Sequence, residues 1–322
     1  MGIGSEYAYS FGRVKALEAS LIDSSQFKRM AEAPTASDAI KILSETTYAL
    51  PEDADISAIE NVLLEELKSV YDLAQRISPR KEITNLLQLK YDFHNAKILL
   101  KSEIASKEPA FLVSLGIVDI EKLKKAFKER IRDLPEPLAR AVEKARLAFE
   151  ESSDTQIIDT VMDQVYVCTL LEDSEKSPFL QEFFRLKTDL ENIRNFVRSQ
   201  KFKVSFSRMY LQGGTIDFKT FQTFQDEPLE AVAKAFGMKK YSRVVEEGLK
   251  SFEETGELTV YERLVEDFLI EYVKQAKMVV LGIEPLIGYI LAKEREVKLI
   301  RLILLGKLKG IDFEKRMSGP YV

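Results

Sequence analysis

The chain has 322 residues, too many for one ordinary small core and suited to two or three compact units. Its 45% hydrophobic and 31% charged residues are ordinary for a soluble globular protein, and ten Pro with fourteen Gly exclude a loop-rich or low-complexity chain. The formal charge of −5 comes from 47 basic and 52 acidic residues finely interspersed, so no basic block marks a nucleic-acid surface.

Helical periodicity begins almost at once. Phe11, Val14, Leu17 and Leu21 recur at three- and four-residue spacing and predict an amphipathic first helix. Met1 to Tyr9, before it, has neither the basic start nor the apolar stretch of a signal peptide. Ser37 stands as a helix start before Asp38-Ala39-Ile40, and Asp55 opens a long helix carrying Ile59, Leu63, Leu64, Leu67 and Val70. Further long helices are expected from about Asp154 and about Leu258. The nearest approach to a strand pattern is the short stretch Lys203 to Tyr210. Met278 to Ala292 is the most apolar segment, but Glu284-Pro285 interrupts it and it falls short of the roughly 20 residues that cross a bilayer. Membrane association would therefore run through a partner. The last helix, Leu286 to Lys309, reads either as a basic amphipathic surface helix or as a core helix with solvated Lys and Arg ends; the second is favoured.

An internal repeat is the most informative feature. Leu89-Lys90-Tyr91-Asp92-Phe93-His94-Asn95 matches Leu186-Lys187-Thr188-Asp189-Leu190-Glu191-Asn192, in the form Leu-Lys-x-Asp-x-x-Asn. A weaker third copy runs from Lys293 to Arg301, with Glu296 at the Asp place and Leu299 at the Asn place. Upstream, Val118-Asp119-Ile120 resembles Ile216-Asp217-Phe218. Breakers fall at Lys107-Glu108-Pro109 and at Gln212-Gly213-Gly214, which suggests repeats over 1–108 (with an extra N-terminal helix), 109–212 and 213–322.

On a helical wheel Lys90, His94, Lys97 and Lys101 share one side, while Asp92 and Asn95 lie among apolar neighbours. A carboxylate and an amide so placed must be hydrogen-bonded. Asp92, Asn95, Asp189, Asn192 and Glu296 are therefore candidate structural polar locks that brace neighbouring segments. The competing reading makes them an acid/base or metal site, which is rarely needed three times over. His94 is the only histidine and no Gly-x-x-x-x-Gly-Lys-Ser/Thr loop is present, which removes histidine-rich metal sites and Walker-type nucleotide sites. Cys168, the single cysteine, cannot form an intrachain disulfide, and its apolar setting reads as a small buried hydrophobe in a reducing compartment.

Several segments together resemble one family, the C subunits of the prokaryotic A/V-type ATPases, whose eukaryotic counterpart is called the d subunit. They are Tyr9 to Glu18, Leu43 to Tyr48, Leu89 to Asn95, Asp189 to Arg194, Leu211 to Gly214 and, most specific, Pro285 to Glu296. Leu299 departs from the family, which often carries Asn there. The resemblance implies an all-α protein of three similar helical domains in a pseudo-threefold, funnel-shaped arrangement. It implies a non-catalytic socket at the cytoplasmic face, between the central-stalk subunits and the membrane rotor ring, touching membrane only through the ring. No catalytic residue, cofactor, bound metal or nucleic-acid partner is expected. The rival readings are a generic helical scaffold and an enzyme that uses Asp92 with Lys90 or Glu296 with Lys298.

Overall fold

In the computed structural model, which describes residues 5–236 and 239–322, fifteen α-helices and short 3-10 turns account for all the regular structure, with no strand among the described residues. The protein is all-α. In chain order the helices are α1 (Ala8–Glu18), α2 (Ser24–Glu32), α3 (Ala36–Leu43), α4 (Ile56–Ile77) and α5 (Lys81–Asn85). There follow α6 (Leu89–Ile104), α7 (Ile120–Lys128), α8 (Leu138–Ser152), α9 (Gln156–Asp173) and α10 (Pro178–Phe202). The last five are α11 (Phe218–Thr223), α12 (Leu229–Phe236), α13 (Ser242–Thr255), α14 (Thr259–Lys274) and α15 (Glu284–Lys309). No helix of the described residues is long and apolar enough to cross a membrane. The chain forms two compact units, one of residues 1–80 and 227–322 and the other of residues 81–226.

The first unit is organised around α15. Residues on all its sides are buried, among them Leu286, Tyr289, Ile290, Val297, Ile300 and Ile303, as expected of a helix covered all round. Helices α1, α2, α3 and α4 pack against it. Helix α4 is amphipathic and turns Ile59, Leu63, Leu67 and Val70 inward. Its start at Asp55, whose side chain accepts the Ala58 N–H at 2.7 Å, is the one the sequence marks. Helix α3 begins two residues before the expected Ser37: Thr35 has the extended backbone of a cap, and its hydroxyl accepts the Asp38 N–H at 3.1 Å. Helices α13 and α14 form a tight pair, in which a Cβ on Gly248 would come within 2.6 Å of the Tyr261 ring.

In the second unit α6 packs against α7, α8 and α9, and α9 also meets α10. Helix α10 starts at a Ser177 cap followed by Pro178, the helical position that tolerates a missing N–H. It ends at Lys203, in the left-handed region with φ 53°. The strand-like stretch Lys203 to Tyr210 is a turn with a 3-10 segment, Phe206–Arg208. Its hydrophobic alternation does not serve a sheet. Phe206 instead stacks into a cluster with Phe196 (5.2 Å between ring centres), Phe221 (4.9 Å) and Tyr210 (5.8 Å).

Candidate functional site: three buried acids and the backbone they hold

Asp92 sits on α6 with only 1% of its surface exposed, because the helix turns it toward the chain segment that follows. Its carboxylate accepts two backbone N–H groups, from Ile117 and Val118, both at 3.0 Å. One helical turn on, Asn95 is fully buried and makes a two-way bond with Val113: its amide nitrogen donates to the Val113 carbonyl at 2.8 Å and its oxygen accepts the Val113 N–H at 2.9 Å. A loop that would leave its polar backbone bare is thus paired by two side chains.

The second copy repeats this arrangement on α10. Asp189 accepts the N–H groups of Thr215 (2.7 Å) and Ile216 (3.1 Å), and also the Thr215 hydroxyl. Asn192 exchanges two bonds of 2.8 Å with Leu211. Asp189 and Asn192 are both fully buried. In each copy the segment held is followed at once by an aspartate that caps the next helix. Asp119 accepts from Glu121 and Lys122 at the start of α7, and Asp217 accepts from Thr220 at the start of α11.

The glycines just before these segments have a physical reason. A Cβ on Gly116 would lie 2.1 Å from an Asp92 carboxylate oxygen, and one on Gly214 would lie 2.2 Å from Asp189. Only glycine lets the backbone come this close to the acid. The pattern Gly-x-aliphatic-Asp, in Gly116 to Asp119 and Gly214 to Asp217, is the sequence signal for the held segment that helical periodicity does not bring out.

Glu296, the third acid, lies on α15 and is 3% exposed. One oxygen accepts the Ile22 N–H at 2.7 Å; the other accepts the Tyr48 hydroxyl at 2.8 Å and the Lys293 ammonium at 2.7 Å. Lys293 is itself 2% exposed and lies 2.7 Å from Glu66. This corrects the expectation of solvated basic groups on α15. Lys293 and Arg295 are both buried because acids on other helices meet them, Arg295 pairing with Glu266 at 2.6 Å. The Glu296–Lys298 pair of the enzyme reading does not form, since Lys298 turns outward to Glu266 at 2.7 Å.

Burial sets the electrostatics. It pushes Asp92 up to about 6, although the Val118 and Ile117 amides pull it back down. Burial lowers Lys293, yet Glu296 and Glu66 outweigh it and leave its affinity for a proton above the ordinary value. The Tyr48 hydroxyl is pushed up by burial and by Glu296, so it stays a donor.

A groove of about 620 Å³ in the second unit collects the other charged side of the repeated helix, Lys187, Glu191, Arg194 and Arg198, facing Asp159 and Asp163. Asp159 and Asp163 pair with Lys101 and Lys97, both at 2.5 Å. The three buried acids lie outside that groove. Asp92 also lines a smaller cavity of about 250 Å³. Each of the three acids accepts at least one backbone N–H.

The described residues thus form an all-α chain whose buried acids are engaged with its own backbone. The family model described as "ATP synthase (C/AC39) subunit" matches residues 11–318, and the chain belongs to that family. Among its relatives, the C subunit of the A-type ATP synthase of Methanocaldococcus jannaschii is 25% identical, over 97% of this chain and 85% of its own length. The C subunit of the V-type sodium ATPase of Enterococcus hirae is 26% identical, over 96% of this chain and 97% of its own. Its counterpart in the A-type ATP synthase of Thermococcus gammatolerans is 26% identical, over 96% and 88% respectively.

Proposed function

We propose that the protein is the central-stalk subunit of an A/V-type rotary ATPase that joins the rotor stalk to the membrane rotor ring at the cytoplasmic face. It works as a non-catalytic socket, passing torque between the sites of ATP chemistry and the sites of ion transport. The observation that carries this reading is the family match from residue 11 to residue 318, together with relatives named as C subunits of A-type and V-type enzymes. A part that passes torque must resist deformation, and the buried acids supply that: Asp92, Asn95, Asp189, Asn192 and Glu296 act as polar locks on segments that would otherwise fray. In this reading the repeats at 1–108, 109–212 and 213–322 form three related helical domains.

Co-purification tests the proposal. The tagged protein, expressed in its source and drawn from detergent-solubilised membranes, should bring down stalk and ring subunits identifiable by mass spectrometry. Recovery without any ATPase subunit would return the protein to the class of generic helical scaffolds.

A further inference from the structure

The third acid is unlike the other two, and every difference points the same way. Asp92 and Asp189 hold segments 25 to 27 residues further along the chain, whereas Glu296 holds Ile22, which is 274 residues earlier. Ile22 nevertheless stands in the same local setting as Val118 and Ile216. It is followed by Asp23, which caps α2 by accepting the Gln26 N–H at 2.9 Å, as Asp119 caps α7 and Asp217 caps α11.

Aligned on these capping aspartates, Ser20 takes the place of Gly116 and Gly214. The glycines are required where the acid is the short Asp; where it is Glu, one carbon longer, the position carries a side chain. The Asn place follows the same logic. Asn95 and Asn192 pair with Val113 and Leu211, six residues before the cap, where the backbone is loop. Six residues before Asp23 is Leu17, at the end of α1, where helical bonds already engage the backbone and its carbonyl accepts from Ser20 at 3.0 Å. An amide has nothing to pair there, and the position on α15 is the buried apolar Leu299. Helix packing agrees with the α6 copy: α15 packs on α2, α3 and α4 as α6 packs on α7, α8 and α9.

We infer that α15 and residues 20–77 form one domain of the repeat in permuted order, closed without a covalent link by the Glu296 clasp on Ile22. The two other copies have their clasping helix first and the clasped segment next in the chain. In this copy the clasping helix is last and the clasped segment first. Glu296, Lys293, Tyr48 and Glu66 therefore carry the load that a continuous chain carries elsewhere. The domain limit at 108 accordingly falls between a clasping helix and the segment it holds, and the limit at 212 falls inside the held segment, between Leu211 and Thr215. The permuted order stands on these residues alone and does not depend on the proposed function.

The test exchanges one clasp for the other in the full chain. Glu296→Asp shortens the acid and should raise amide hydrogen exchange at Ile22 and through α2 at least tenfold, leaving α7 unchanged. Glu296→Asp with Ser20→Gly recreates the glycine–aspartate pair and should recover half or more of that loss on a logarithmic scale. Unchanged exchange in the single variant, or no recovery in the double, overturns the inference. A circular permutant supplies a second measurement should the single variant not fold. With Val322 joined to Ser5 by a flexible glycine–serine linker, and new ends between Arg80 and Lys81, α15 comes before α2 as α6 comes before α7. It should protect α2 to α4 as the natural chain does; loss of that protection with α7 to α9 still protected would overturn the inference as well.

Discussion

Gly116→Ala gives the sharpest measure of how closely backbone and acid are fitted. The added methyl would lie 2.1 Å from an Asp92 oxygen, about an ångström nearer than non-bonded atoms tolerate. Either the carboxylate swings away or the loop moves out, and in both cases the bonds from Ile117 and Val118 lengthen or break. Each is a hydrogen bond to a charged group, worth about 1.5–3 kcal/mol, and the acid left behind is buried. Against this, replacing glycine restricts the unfolded chain and returns about 0.4–1 kcal/mol. The net expectation is a loss of about 2–4 kcal/mol, and the same for Gly214→Ala at Asp189. Gly12→Ala is the control: it sits inside α1 with nothing within 4 Å, so it should stabilise by about 0.5–1 kcal/mol. Urea denaturation followed by circular dichroism measures all three. If Gly116→Ala were as stable as the parent while Gly12→Ala gained, the close approach would carry no energy and the account of the clasp would fail.

Other outcomes follow from the same geometry. Burial raises Asp92 from 3.8 to about 6, so the folded protein binds a proton there more readily than the unfolded chain does. That contribution, about 3 kcal/mol, is complete below pH 4 and is lost as the pH rises through 6. Asp92→Asn should flatten this part of the stability–pH curve between pH 4 and 7, and parallel curves for the two proteins would refute it. Asn192→Ala leaves the Leu211 N–H and carbonyl unpaired and should cost about 1–3 kcal/mol in chemical denaturation; a change of a few tenths would remove its bracing role. Leu299→Asn should also destabilise, by about 1–3 kcal/mol, because the amide enters an apolar place with no bare backbone to meet; a neutral result would show that the amide finds a partner there. For the proposed coupling role, reversing three or four charges together on one exposed rim should uncouple ATP hydrolysis from ion pumping in membranes while the protein stays folded. Single rim charges are worth too little to show it. Coupling unchanged for clusters on every exposed end would count against torque transmission.

Much of the helical framework is legible in the sequence because helices depend on local spacing. The Asp55 cap, the inward face of α4 and the long helix from Glu284 to Lys309 are set by residues within a turn or two of one another. The polar positions are legible for a related reason: Asp92 and Asn95 stand among apolar neighbours on the same helix. Their partners are not. Val113 and Ile117 contribute only backbone, which carries no side-chain signature, and the one clue is indirect, in the glycine directly before Ile117. Lys293 misleads for the opposite reason. A lysine beside Glu294 and Arg295 reads as solvated, and its burial depends on Glu66 and Tyr48, more than 220 residues away.

On the inferred permuted repeat, the three acids keep one physical arrangement with different residues. An aspartate reaches two backbone amides only when the partner chain presses against it, which requires glycine, and an asparagine is useful only where loop backbone is bare. Lengthening the acid to glutamate relaxes the first requirement, and supplying helix in place of loop removes the second. The exchange has a cost: the longer carboxylate holds a single backbone amide, Ile22, where each aspartate holds two. The remaining acceptor capacity goes to Tyr48 and Lys293, so that one backbone bond is replaced by side chains from an inter-helix connection and from α15 itself. Breaking such a network by removing one member leaves a buried charge without its counterpart, commonly about 3–5 kcal/mol against stability. Ile22 and Glu296, 274 residues apart, are thus joined through groups whose separation is this costly.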